Sequence, residues 1–133
     1  MDGRLALDTN VVIALLNHEQ DVVGFVGKFR EVFVRIIVPG ELYFGAYKSG
    51  RVQSNLDRIE EFVVTRPVID CDKDTSNVYG EIKSQLVKSG QPIPDNDIWI
   101  AAIAIQFDAV LASQDRHFDK IDELTVVAPP SAG

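Results

Sequence analysis

Apolar residues along this chain come in two rhythms, short continuous runs and longer segments at helical spacing, and the two alternate. Leu5–Ala6–Leu7 stops at Asp8 and reads as a short buried strand. Asn10 to Leu16 is dense enough in apolar residues for a buried helix, with Thr9 or Asn10 as its N-cap. Asp21 to Arg30 places Val22, Val23, Phe25, Val26 and Phe29 at helical spacing, weakened by Gly24 and Gly27. Val32 to Val38 is β-branched and ends at Pro39–Gly40, which predicts a second strand and then a breaker.

Further helices are predicted from Glu41 to Ser49, from Val52 to Val63 and from Asp74 to Lys88, with a small strand at Val68–Ile69 between the last two. After a Gly90–Pro94 loop, the segment from Asp97 to Phe107 is apolar on every side. A helix of that kind must be covered on both flanks. Val110 to Ala112 is a strand, Arg116 to Ile121 a short helix, Thr125 to Val127 a last edge strand, and Pro129 to Gly133 a loose tail. Strands separated by crossover helices predict an α/β fold, a parallel sheet with helices on both faces.

The length of 133 residues fits one domain, and 46% apolar with 25% charged residues excludes wholesale disorder. With a lone Cys71 and two histidines, His18 and His117, the chain has neither an internal disulfide nor a structural zinc site. The N-terminal apolar runs are broken by Asp8, Asn17 and His18, so neither a signal peptide nor a membrane span is expected and the protein reads as cytoplasmic. A net charge of −7 argues at first against a nucleic-acid partner, because phosphate binding rests on Lys and Arg.

The positions of the acids change that argument. Ligands of open α/β sheets bind outside the carboxyl ends of the strands. Asp8 closes the first predicted strand, Glu41 follows the second, Asp97 opens the all-apolar helix, and Asp115 follows the fourth strand just past Ser113. All four project toward one end of the sheet. A like-charge pair about 4 Å apart costs on the order of 4 kcal/mol at an effective dielectric near 20. Either the pKa values rise or a cation holds the group together. An all-oxygen donor set favours Mg²⁺, with Mn²⁺ as a substitute, and the natural chemistry is metal-assisted phosphodiester hydrolysis. Setting these four of the 20 acids aside reduces the charge to −3, and the span from Lys28 to Arg66 is net +2.

The strings LDTN (Leu7–Asn10), PGELYFGAYKS (Pro39–Ser49), NDIWIAAIA (Asn96–Ala104) and SQDRHF (Ser113–Phe118) resemble, in this order and spacing, the signatures of a PIN domain. The likeness is to the VapC-type ribonuclease toxins, and it runs from Leu5 to about Val127. It implies a single PIN domain with a flavodoxin-like, three-layer α/β/α arrangement of about five strands. It also implies a Mg²⁺-dependent endoribonuclease acting on RNA, a homodimer, and inhibition by a cognate antitoxin protein. The family's acidic quartet falls on Asp8, Glu41, Asp97 and Asp115. Asp8 and Asp97 match the direct metal ligands, Glu41 and Asp115 complete the pocket or hold metal through water, and Thr9 and Ser113 match supporting hydroxyls that orient the acids or contact phosphate.

Each of these residues has an ordinary structural alternative. Asp8 and Asp115 suit helix N-caps, Glu41 suits a first turn, and Asp95 or Asn96 is expected to take the cap ahead of Asp97. His117 reads as structural, Trp99 as core packing, and Cys71 as a buried small hydrophobe. Of Tyr43, Phe44 and Tyr47, which could stack bases, two are expected to face the core. Two other functions share the pattern: a receiver-like phosphoacceptor domain, and a PIN-like RNA-binding module without nuclease activity. The first wants a Lys after the last strand, and none follows Thr125.

Overall fold

A computed structural model describes residues 3–130. Its five strands are β1 (Arg4–Leu7), β2 (Glu31–Arg35), β3 (Val68–Ile69), β4 (Val110–Ala112) and β5 (Val126–Val127). They lie in the order β3-β2-β1-β4-β5, every neighbouring pair parallel. The helices are α1 (Thr9–Leu16), α2 (Gln20–Val26), α3 (Ile37–Tyr47), α4 (Val52–Thr65), α5 (Lys73–Lys88) and α6 (Asp95–Gln106), with a 3₁₀ turn at Arg116–Lys120.

The topology follows from the chain's direction. From β1 it steps to β2 and β3 on one side, then returns across β1 to β4 and β5. Right-handed crossovers therefore put α1–α4 on one face and α5–α6 on the other, and the contacts agree: α3 packs on α4, and α5 on α6. The reversal makes the β1–β4 junction the switch point of the sheet. Leu5, Leu7, Val34 and Leu111 are buried between the helical layers, and α6 buries Ile98, Ile100, Ala101, Ala102, Ile103 and Ala104. Gly90, at φ 67°, takes the left-handed position that ends α5 after Ser89.

Several expectations need correction. Strand β2 stops at Arg35, and Pro39–Gly40 lies inside α3 rather than ahead of it. Pro39 occupies the first helical turn, where the missing N–H would have no partner, and the ladder begins with Gly40 donating to the Ile36 carbonyl. Glu41 thus stands a full turn into α3. Asp8 itself, not Thr9 or Asn10, caps α1. Neither Asp95 nor Asn96 caps α6, whose cap position is Pro94; Asp95 instead accepts from Tyr79 and Lys83 of α5, each at 3.0 Å.

Phe44 and Tyr47 are 67% and 66% exposed, so two of the three α3 aromatics face solvent rather than the core. Cys71 is exposed, and its Sγ accepts from Nη2 of Arg35 at 2.8 Å. That guanidinium is almost wholly buried at the end of β2. Trp99 stacks on Tyr79 with ring centroids 4.0 Å apart, joining α6 to α5. At the C-terminus, Pro129 is buried and its carbonyl accepts from Gln114, while Ser131 to Gly133 lie outside the described residues.

Candidate active site

Asp8 ends β1 in extended conformation and turns the chain into α1, so its side chain emerges at the switch point. It is 5% exposed. One carboxylate oxygen accepts from the Thr9 amide at 2.8 Å; the other accepts from Ser113 Oγ at 2.6 Å and Asn10 Nδ2 at 3.2 Å. The β4 end supplies the rest of this mesh. Ser113 Oγ accepts from the Asp115 amide at 2.9 Å, and Asn10 Oδ1 accepts from the Gln114 amide at 3.1 Å. Two small polar side chains thus lock the loops after β1 and β4 together around one carboxylate.

Thr9 Oγ1 donates to Glu41 Oε1 at 2.7 Å, drawing the exposed α3 carboxylate toward the same edge. Asp97, in the first turn of α6, is half-buried, and its Oδ2 lies 3.0 Å from His117 Nδ1. The same nitrogen is 3.1 Å from Asp115 Oδ1, the oxygen that also accepts from the His117 amide as the cap of the 3₁₀ turn. Ligand atoms of Asp97, Asp115 and His117 all lie within 4.8 Å of one another, a spacing that admits a metal ion.

The electrostatics tie the four acids into one pocket. Burial pushes the Asp8 carboxyl above its ordinary value despite the donors from Ser113 and Thr9, and the charges of Asp97 and Glu41 push it further. Burial also raises Asp97, opposed by the hydrogen bond from His117 and reinforced by Asp115 and Glu41. Asp8 and Asp97 therefore each feel two of the other acids. That is excess negative charge in a partly desolvated pocket, which a cation relieves.

Sequence reasoning missed two members of this site. Asn10, a candidate helix cap by its position, is the strap between Asp8 and the β4 loop. His117, structural by its sequence context, has a ring that bridges two of the acids. The signal for His117 was its place two residues after Asp115: a capping acid receives the amide of that residue and brings the ring back beside its own carboxylate.

Carboxylates converging at the switch point of a parallel sheet, one of them buried and held by three hydrogen bonds, define a class: an α/β protein with an anionic pocket suited to a cation. Within that class, residues 5–124 match the PIN domain model, and the chain belongs to the PIN-domain family. It is 32% identical to Ribonuclease VapC2 of Haemophilus influenzae over 120 residues, covering 86% of this chain and 89% of the relative. Identity to the tRNA(fMet)-specific endonuclease VapC of Shigella flexneri is 27% over 91% of this chain and 94% of that protein. The fold superposes on the solved VapBC2 complex of Rickettsia felis, bound to a promoter DNA fragment, with a TM-score of 0.88, 25% identity and coverage of 96% and 99%.

Proposed function

We propose that this chain is the toxin of a toxin–antitoxin pair, a Mg²⁺-dependent endoribonuclease that hydrolyses RNA phosphodiester bonds at the acidic pocket. The observation that carries the reading is the convergence of Asp8, Glu41, Asp97 and Asp115 from four separate elements, with burial and mutual repulsion raising Asp8 and Asp97. The donor set fits a hard divalent ion, Mg²⁺ or Mn²⁺, because carboxylate oxygens dominate it. Asp8 and Asp97 would be the direct ligands in this reading, and Glu41 and Asp115 would complete the pocket or hold the ion through water. A bound ion supplies an activated water and charge stabilisation at the leaving oxygen.

The chain's own residues fix the geometry. Ser113 and Asn10 hold Asp8 in one orientation and would keep it there with an ion bound. Thr9 does the same for Glu41. His117 spans Asp97 and Asp115, keeping two like charges side by side in the metal-free protein. With the carboxylates neutralised, an RNA phosphate can approach a chain whose overall charge would otherwise repel it. Cleavage on this chemistry leaves a 5′-phosphate and a 3′-hydroxyl.

A cognate antitoxin, a homodimer and a cytoplasmic setting belong to the same reading. The antitoxin rests on the VapBC complexes among the structural neighbours; no described helix is long and apolar enough to cross a membrane. The phosphoacceptor alternative finds no support, since Asp70 follows β3 at the edge of the sheet, away from the switch point. The test is cleavage of an RNA oligonucleotide in Mg²⁺. Activity should vanish in EDTA and in Asp97→Asn while the protein stays folded. An Asp97→Asn protein that cuts as fast as the parent contradicts the assignment.

A further inference from the structure

Helix α3 carries Glu41, Phe44 and Gly45 at intervals of three and four residues, and Lys48, its C-cap, follows Phe44 by another four. With Thr9, Gly40 and Asn96 these residues line an open groove that runs from the acidic pocket along the helix. Phe44 leaves 67% of its surface in water, and the Lys48 ammonium sits 4.8 Å from the centroid of its ring. A large exposed aromatic beside a catalytic carboxylate adds nothing to the core.

The two glycines in the groove are equally unexplained by the fold. Neither Gly40 nor Gly45 has a left-handed φ, and a Cβ at either would meet nothing within 4 Å. Inside a helix, glycine is less favourable than alanine. Backbone conformation and packing require it at neither position. What the missing side chains leave is bare helix backbone on either side of the Glu41–Phe44–Lys48 row, low enough for another backbone to lie against.

Bare helix, flat ring and ammonium match the three parts of one nucleotide: sugar, base face and phosphate. We propose that Phe44 and Lys48 form the subsite for an unpaired nucleotide next to the scissile phosphate, the base stacking on Phe44 and its phosphate meeting Lys48. The proposal rests on the ribonuclease reading and sharpens it. A base paired in a duplex cannot offer its face to a side chain, so the RNA must be single-stranded at the point of cleavage, in a loop or an open strand. In the free protein Lys48 rests over the ring, a cation–π contact that an incoming base replaces while its phosphate takes up the ammonium.

The experiment is steady-state cleavage, in Mg²⁺, of an unstructured oligoribonucleotide and of the same strand annealed in a duplex. The full chain is compared with Phe44→Leu, Phe44→Tyr and Lys48→Ala. Phe44→Leu keeps an apolar side chain but loses the ring, and should raise KM roughly five- to a hundredfold with kcat little changed. Phe44→Tyr should restore the parental KM. Lys48→Ala should raise KM and reduce the slope of log affinity against log salt by about one. The duplex should resist cleavage.

A parent that cleaves while Phe44→Leu matches its KM overturns this proposal alone, as does cutting of duplex and single strand at equal rates. So does a Phe44→Leu protein that changes only its mass on size exclusion, which would give the patch to a second copy of the chain. A parent that cleaves no RNA in Mg²⁺ or Mn²⁺ overturns the ribonuclease reading and this subsite with it.

Discussion

Asp8 and Asp72 each cap a helix, accepting a backbone amide at 2.8 Å at the start of α1 and at 3.0 Å at the start of α5. Both take further donors, Asp8 from Ser113 and Asn10, Asp72 from Gln106 and the Thr75 hydroxyl. Their titration nevertheless moves in opposite directions. Asp72 is exposed, and the Thr75 amide, then Gln106 and the Thr75 hydroxyl, hold its carboxyl below the ordinary value. Asp8 is buried beside Asp97 and Glu41, and burial outweighs its donors. Capping geometry therefore does not distinguish a structural acid from a site acid. Their surroundings do: Asp8 is buried beside two other carboxylates, whereas Asp72 stands in solvent among its donors.

The largest expected difference between the two acids is in chemistry. Asp8→Asn and Asp97→Asn should each reduce RNA cleavage at least about a hundredfold, whereas Asp72→Asn should leave the rate within a factor of about two. Equal losses at positions 8 and 72, measured as kcat/KM on one oligonucleotide, would erase the distinction. Next in size is the response to metal. At roughly a hundred times its dissociation constant, Mg²⁺ should stabilise the parent by about 2.7 kcal/mol, read as a rise in Tm. Asp72→Asn should keep that rise and Asp8→Asn should lose most of it.

Ser113→Ala withdraws the hydroxyl from a carboxylate that water barely reaches, and should cost about 1–3 kcal/mol of stability. Chemical denaturation is the measurement. No change would mean that Ser113 does not hold Asp8. The smallest effect concerns pH in the absence of metal. Asp8 and Asp97 bind protons more tightly folded than unfolded, so their contribution is complete below the ordinary carboxylate range and is lost as pH rises through their raised values. Asp72 has the opposite sign: its contribution is present above that range and is lost as pH falls through its lowered value. Being exposed, it is screened by solvent and salt. Tm against pH should therefore flatten on the alkaline side in Asp8→Asn and on the acid side in Asp72→Asn.

Much of the fold was legible because burial on a parallel sheet writes continuous apolar runs. Val110–Ala112 and Val68–Ile69 were read to the residue, and the all-apolar α6 is enclosed as its pattern required. The α3 boundary was not legible, because proline is a breaker in the middle of a helix and a good starter in its first turn. Only the three-dimensional path decides between them. The candidate site was legible as four acids following strands or opening helices. Its supporting contacts were not: Asn10 to Gln114 and Ser113 to Asp8 join residues about a hundred positions apart in the chain. The exposure of Phe44 and Tyr47 escaped as well, since α3 is apolar around much of its circumference and spacing alone does not say which side meets the sheet.

If Asp8 belongs to a pocket whose negative charge a cation balances, and Asp72 does not, the two acids should differ in metal affinity. Calorimetric titration of the metal-free protein with Mn²⁺ tests it most directly, comparing the parent with Asp8→Asn and Asp72→Asn. The account predicts binding to the parent, a dissociation constant at least about tenfold weaker in Asp8→Asn, and no change in Asp72→Asn. Equal affinity in all three proteins, or no binding to the parent at millimolar Mn²⁺, would contradict it.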